Sequence, residues 1–343
     1  MLTDPPPSSE PQGRARTRVL FAVKLLVTLG LITWLVRSGG LNFKTLSLLW
    51  SSPIVTTSVV INFLFGVMFC ATSRWRVLLS ALGVQVSLRR ALGLQATALF
   101  FNYYVPGNVS GDLIKNYAVI KRDTGRLVTL ALVDRITGLI GLIWAAVPAL
   151  LWSGSSIAQH EEGFQLVCIV VFLLVMSVVG PMLLYYVLPE GDTPSAVTAD
   201  GHTWAKRIWI GISGHLRSGT STLRILLKNP RALLTAIGIS QITHYCAIVN
   251  CWIIARHIEN PDATLSQVAL VYPIGIMSVA IPISISGMGV GHVLFNQLFK
   301  MIGLVRGADV FNVCIFSGFI PSTFGVIPYL LMRRERSADI KSS

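Results

Sequence analysis

Charge is what this sequence has least of. Only 13% of its 343 residues are Asp, Glu, Lys or Arg, against roughly a quarter in an ordinary soluble domain. So few charges cannot cover a soluble surface of this size, which excludes a cytosolic enzyme and a disordered chain. Cysteine is scarce as well. The five, Cys70, Cys168, Cys246, Cys251 and Cys314, are odd in number and fall in apolar runs at spacings that match no metal pattern. That excludes a disulfide scaffold and a zinc site, and the cysteines read as small hydrophobes packed between helices. The G-x-x-x-x-G-K-[ST] loop is missing, so ATP hydrolysis by this chain is not expected. H-E-x-x-H and Cys/His clusters are missing too. Only two carboxylates fall inside the expected spans, too few for a multi-carboxylate metal site. No cofactor, no metal and no catalytic residue is expected.

Apolar residues are what is there. They make up 53% of the chain, and mean hydropathy is +0.66. They come in runs of the length a membrane helix needs. The net charge of +13 is therefore read as the Lys/Arg excess of cytoplasmic loops, not as a nucleic-acid surface.

Residues 1–18 form a polar, Pro/Ser-rich tail that ends in Arg14, Arg16 and Arg18. The expected membrane domain covers 19–332, and 333–343 is a second basic tail. Six full spans are predicted: Val19–Val36, Ile54–Ala71, Leu127–Trp152, Gln165–Leu188, Ala232–Ala255 and Asp309–Met332. No small-residue cleavage site follows the first, so it is read as an uncleaved span. Lys24 near its start is expected to snorkel to the interface.

Two more apolar segments, about 91–120 and 265–301, are too long for one span, and each is broken near its middle by Pro and Gly. Basic residues decide how they lie. Arg74, Arg76, Arg89 and Arg90 precede the first, and Lys121, Arg122 and Arg126 follow it. Both clusters are cytoplasmic only if the segment enters the membrane and returns to the same side. The loop Ser153–Gly163, with Glu161 and Glu162, reads as external. The loop 189–230, with Lys206, Arg207, Arg217, Arg224 and Lys228, reads as cytoplasmic. Its part from Trp204 to Leu227 is either an interfacial helix or a plain basic connection. The second broken segment then returns to the external side, which leaves Arg333, Arg334, Arg336 and Lys341 in the cytoplasm. Arg37, Lys44, Arg256, Lys300 and Arg306 remain outside. The fold class is all-α: a polytopic membrane protein of six transmembrane helices and two oppositely oriented re-entrant hairpins.

The two broken centres share a pattern. One reads Pro106-Gly107-Asn108-Val109-Ser110-Gly111-Asp112, the other Pro282-Ile283-Ser284-Ile285-Ser286-Gly287-Met288. Both are P-x-x-x-S-G, in hairpins that open to opposite sides. That is an inverted repeat, the plan on which many secondary transporters place a mid-membrane site between broken helices. The alternative is a pair of Pro kinks relieved by neighbouring helices.

Ionisable groups inside a membrane are costly and are functional candidates by default. Here they are Asp112, Lys115, Asp134, Arg135, His244 and His292. Asp112 and Lys115, three apart, share a helix face. Lys115 and Arg135 suit a lipid phosphate, with Asp112 and Asp134 balancing them when the site is empty. The alternative for each pair is a salt bridge that pins helices, and Asp134 and Arg135, one to two turns into their span, also suit the interface. His244, beside Gln241, reads as a bridge between helices. His292 reads as a proton-sensitive gate or a satisfied core histidine. The candidate substrate site is Pro106, Gly107, Asn108, Ser110, Gly111, Asp112, Lys115, Asp134, Arg135, Pro282, Ser284, Ser286, Gly287, Gly289 and His292.

The run Val105 to Lys115, the later Val133-Asp134-Arg135, and Ile281-Pro282 through Ser286-Gly287-Met288-Gly289-Val290-Gly291 to Met301-Ile302-Gly303-Leu304 resemble the lysylphosphatidylglycerol synthase transmembrane-region family. The resemblance covers nearly the whole chain after the N-terminal tail. It implies a flippase-like domain in a bacterial or archaeal inner membrane that moves polar or anionic phospholipids, or lipid-linked sugars, between leaflets. Longer members carry a soluble aminoacyl-transferase domain. Only a few residues follow Met332 here, so synthase activity is not expected. Asp112 stands where the family often has Glu, and His292 where it often has an acid. The expected partner is a membrane lipid and not nucleic acid. The rival expectations are a membrane-embedded transferase and an accessory subunit of a lipid-modifying enzyme.

Overall fold

The computed structural model describes residues 42–104, 110–120, 123–187, 219–280 and 287–332, with isolated positions between 30 and 37. Most of the expected first span, both tails and most of the loop 189–230 lie outside the described residues. So do Pro106, Gly107, Asn108, Pro282, Ser284 and Ser286. Every regular element among the described residues is helical, and five helices are long and apolar enough to cross a membrane. The protein is a multi-pass, all-helical membrane protein.

The first of these, α1 (Pro53–Ala81), starts where the Ser52 side chain accepts the Val55 N–H and Pro53 occupies the first turn. It winds as a π-helix over Asn62–Cys70 and returns to α-helix to its end. The expected span stopped at Ala71. The helix runs on because Trp75, Leu78, Leu79 and Leu82 repeat at helical spacing and are all buried. Arg74 and Arg76 are therefore inside a helix and not in a loop. Gly83, at φ +75, closes the helix end, and the Val84 N–H reaches back to the Leu79 carbonyl.

Helices α2 (Leu88–Tyr104) and α3 (Ser110–Ile120) form the first broken segment. They lie antiparallel. Ser110 Oγ donates to the Phe101 carbonyl at one end, and Arg90 Nη2 to the Ala118 carbonyl at the other. The next helix, α4 (Thr124–Trp144), is capped by the Asp123 side chain on the Arg126 N–H. The expected span Leu127–Trp152 is in fact two helices. A turn at Ala145 and Ala146 leads into α5 (Val147–Ile157), whose Pro148 sits in the first turn where its missing N–H costs nothing. The expected external loop is mostly helix, since α5 runs to Ile157 and α6 (Glu161–Val187) begins at Glu161. That outermost helix carries Cys168 on its exposed face. Cys168 is thus not packed between helices, whereas Cys70 and Cys251 are buried.

Residues 219–227 are helical, which places helix in the last part of the basic connection. Asn229 caps α7 (Pro230–Arg256) through the Ala232 N–H. Helices α8 (Leu265–Ala280) and α9 (Val290–Met301) form the second broken segment. They too are antiparallel. Gln267 Nε2 donates to the Ile302 carbonyl at 3.0 Å, and the Tyr272 and Phe295 rings meet edge to face. Their far ends are tied by Asn260. It donates to the carbonyls of Ile258 and Val305 and accepts the Val305 N–H at 2.8 Å. Last comes α10 (Gly307–Met332), which packs along both hairpins. The Tyr103 hydroxyl of α2 faces Gly318, and Gly291 of α9 lies against Phe311.

Two hydrophobic clusters hold the bundle. One gathers Phe295, Phe299 and Phe311 with Leu142, Leu270 and Ile254 around the second hairpin. The other gathers Trp75, Leu78, Leu79, Leu94 and Leu130 around the base of the first. Each broken segment has its own core, and the polar residues described next border the second cluster.

Candidate functional site

The first hairpin closes tightly because position 111 is glycine. A Cβ there would lie 1.9 Å from the Ala98 carbonyl oxygen. At this crossing Asn102 of α2 accepts the Gly111 N–H at 2.9 Å, and its amide nitrogen reaches Asp112 Oδ1 at 3.4 Å. Asn102 thus caps α3 from the neighbouring helix and aims the Asp112 carboxylate. One turn on, Lys115 lies on the same face, 3.6 Å from Asp112.

Helix α4 supplies the partners. Asp134 is 3% exposed, and its two oxygens take Arg74 Nε at 2.8 Å and Lys115 Nζ at 3.1 Å. Lys115 is 2% exposed, also reaches Gln95 Oε1 at 3.2 Å, and lies 5.2 Å from the centre of the Trp75 ring. The Trp75 Nε1–H donates to Asn116 Oδ1 and so fixes that ring. Arg74 Nη1 donates to Ser240 Oγ of α7 at 2.8 Å, passing Gly138, where a Cβ would lie 3.0 Å from the guanidinium. Arg135 places both Nε and Nη2 on Asp112 Oδ2 at 2.9 Å. Helices α1, α2, α3, α4 and α7 therefore meet in one ionic network.

Depth decides what this network is. Asp134 is ten residues from either end of α4 (Thr124–Trp144), about 15 Å along the axis each way. That is the middle of the helix, whereas the sequence left an interfacial position open as an alternative. The network also opens sideways. Arg135 keeps a third of its side chain exposed. It follows Val128 and Leu132 along a face of α4 on which both are about half exposed. A ligand would meet Arg135 from the apolar side of the helix.

Among the described residues no ion pair lies within α8 or α9; Arg306 pairs with Asp309 and Glu259 beyond the end of α9. Gly287 and Gly289 turn the chain into α9 at φ +74 and +86. Gly287 lies against Val279 of its own hairpin, where a Cβ would sit 2.8 Å from the Val279 Cα. His292 is 1% exposed. Its Nδ1 accepts the Gly289 N–H at 3.2 Å, so Nε2 carries the proton and donates to Asn312 Oδ1 at 3.2 Å. His292 is a satisfied core histidine that caps α9. His244 Nε2 donates to the Gly138 carbonyl at 3.1 Å, linking α7 to α4.

The expected site thus divides. Asp112, Lys115, Asp134 and Arg135 come together, with Ser110 and Gly111 at the hairpin crossing. Gly287, Gly289 and His292 form a separate neutral group against α10. Sequence reasoning missed Arg74, Gln95, Asn102 and Ser240. For Arg74 a signal was available in the apolar repeat of Trp75, Leu78, Leu79 and Leu82. For Gln95, Asn102 and Ser240, single polar residues in apolar runs, there was none. Among the described residues, no three His, Cys, Asp or Glu side chains are close enough to share a metal ion. An apolar hollow of about 370 Å³ lies elsewhere, between Pro148, Trp152, Tyr245, Ile248 and Leu265.

The family model described as "Lysylphosphatidylglycerol synthase TM region" matches residues 21–320. The chain belongs to this family. As a member of the lysylphosphatidylglycerol synthase transmembrane-region family it is a membrane protein of lipid modification or transport. No curated protein and no solved structure is similar enough to match. The match includes every residue of the ionic network.

Proposed function

We infer that this family member is a flippase-like transporter. It moves a polar or anionic phospholipid, or a lipid-linked substrate, between the leaflets of a bacterial or archaeal inner membrane, without hydrolysing ATP and without altering the lipid. The observation that carries the reading is the ionic network at mid-span, with Arg135 on the apolar face of α4. Ions in that position are expensive. A soluble solute has no reason to approach from the bilayer side. A lipid can present its headgroup to Arg135 while its tails stay among lipid tails.

In this reading both hairpins are re-entrant, enter from opposite sides, and form an inverted repeat with both termini cytoplasmic. The support is geometric. Each segment is an antiparallel helix pair; the end of α2 reaches α10 at Gly318, near its middle, and the start of α9 reaches it at Phe311, about one turn from its beginning. Single cysteines at Arg89 and Lys121 in a cysteine-free background are expected to label from the cytoplasmic side only. Labelling from opposite sides would remove the re-entrant hairpin.

Transport is tested by reconstituting the purified chain in liposomes and following leaflet exchange of a labelled lipid. Arg135→Ala is expected to slow exchange about tenfold, the size of one lost charge-assisted hydrogen bond, while folded yield changes little. Equal loss of yield and exchange would make Arg135 a structural tie to Asp112. A covalently altered lipid would point to a transferase. Neither exchange nor alteration would leave an accessory subunit of a lipid-modifying enzyme.

A further inference from the structure

The ionic network is not charge-balanced. Among the described residues, Arg74, Lys115 and Arg135 are joined by contacts of 2.8 to 3.6 Å to only two carboxylates, Asp112 and Asp134. The other groups that touch these five are neutral: Gln95 and Asn102 of α2, Ser240 of α7 and the Trp75 ring. One positive charge is therefore left over at the middle of a membrane span.

The surplus has an address. Asp134 is enclosed, and both its oxygens are engaged by Arg74 and Lys115. Asp112 is shared: Oδ2 takes Arg135, Oδ1 faces Lys115, and its side chain is 14% exposed. Arg135 is the most exposed of the three cations at 33%, and it offers both nitrogens to a single carboxylate oxygen. An arriving anion meets Arg135 first, with Lys115 one position deeper and linked to it through Asp112. A guanidinium fork followed by an ammonium is the donor set that a phosphate takes up well.

We propose that the network selects its lipid by charge, accepting a headgroup with a single net negative charge, a phosphodiester without further ionic groups. This rests on the reading of the network as a headgroup site. A monoanion neutralises the surplus. A zwitterionic headgroup leaves the surplus in place and brings a cation toward Arg135. A phosphomonoester, dianionic above its second ionisation near pH 6, exceeds the surplus by one. Burying an uncompensated charge is costly in either direction.

The test uses proteoliposomes of the full chain at pH 8, where an unperturbed imidazole is neutral and His244 does not enter the count. Fluorescent phosphatidylglycerol, phosphatidylcholine and phosphatidic acid with identical chains serve as monoanion, zwitterion and dianion. Exchange of phosphatidylglycerol is expected to exceed that of phosphatidylcholine by about tenfold or more. Arg135→Gln removes one cation, balances the network, and is expected to bring that ratio close to one. Asp112→Asn adds one net charge and is expected to shift preference toward phosphatidic acid. The same three lipids are offered to each detergent-purified variant, and retained lipid is counted by native mass spectrometry.

Exchange that is fast but indifferent to headgroup charge, or a ratio that Arg135→Gln leaves unchanged, overturns charge selection and leaves the flippase reading standing. Charge-ordered retention without exchange overturns the flippase reading and leaves charge selection standing. Displacement of retained phosphatidylglycerol by an equal concentration of inorganic phosphate would overturn the assignment to a lipid.

Discussion

Asp134→Ala is expected to cost the protein its fold. The carboxylate is 3% exposed and, among the described residues, is the sole acid on Arg74 and the nearer of two on Lys115. Its removal leaves two cations at mid-span, Arg74 with Ser240 and Lys115 with Gln95 and an Asp112 already shared with Arg135. Breaking a buried pair by removing one member typically costs about 3–5 kcal/mol, a large share of the margin by which a protein is stable. The measurements are detergent-solubilised monodisperse yield and thermal midpoint. Yield should fall severalfold, and Lys115→Met in the same chain should restore part of it, because Arg74 keeps Ser240. If Asp134→Ala folds as well as the parent, the network is loosely held and hydrated.

Gly111→Leu is expected to be as damaging, for a steric reason. An added Cβ would lie 1.9 Å from the Ala98 oxygen and 2.6 Å from its carbonyl carbon. These are backbone atoms in the middle of α2, and no rotamer relieves the clash. The hairpin must open, which pulls Asn102 off the start of α3 and Asp112 off Arg135. Losses above about 4 kcal/mol come from faults of this kind, and even Gly111→Ala should lower the thermal midpoint by several degrees. Gly287→Leu fails on its own account, through φ +74 and Val279. The two glycines serve separate hairpins, so their losses should add. Normal folding of Gly111→Ala would show that α2 and α3 cross less closely than described.

The sequence reading reached the helical class, five of the described spans and four of the five ionic residues for one reason. In hydrocarbon, apolar length and rare charge are both strong signals. It misjudged Arg74 because an arginine just past an apolar run looks like a topological marker. Only the buried positions of Trp75, Leu78 and Leu79 reveal that the helix continues. It ran α4 and α5 together as one span because Ala145, Ala146 and Val147 are apolar in either conformation. The turn there is set by Pro148 and by packing. It joined His292 to the charged site through the shared P-x-x-x-S-G pattern, which recurs in sequence without recurring in chemistry. The partners Gln95, Asn102 and Ser240 come from three helices, and no local pattern encodes a meeting of that kind.

The π-helical stretch of α1 has a consequence for Arg74. A helix that bonds five residues ahead turns through a smaller angle per residue than the roughly 100° of an α-helix. Over the nine residues Asn62–Cys70 that deficit accumulates, so everything after Cys70 is rotated about the axis relative to everything before Asn62. The upper part of α1 points Val55 into the core around the second hairpin, and the lower part points Trp75 and Leu78 into the core around the first. One continuous helix thereby serves two differently placed neighbours. The same residues wound uniformly would keep one facing throughout. The wide coil at Asn62–Cys70 acts as a gear between the two halves, and the compass bearing of Arg74 is set by a stretch that ends about one turn before it.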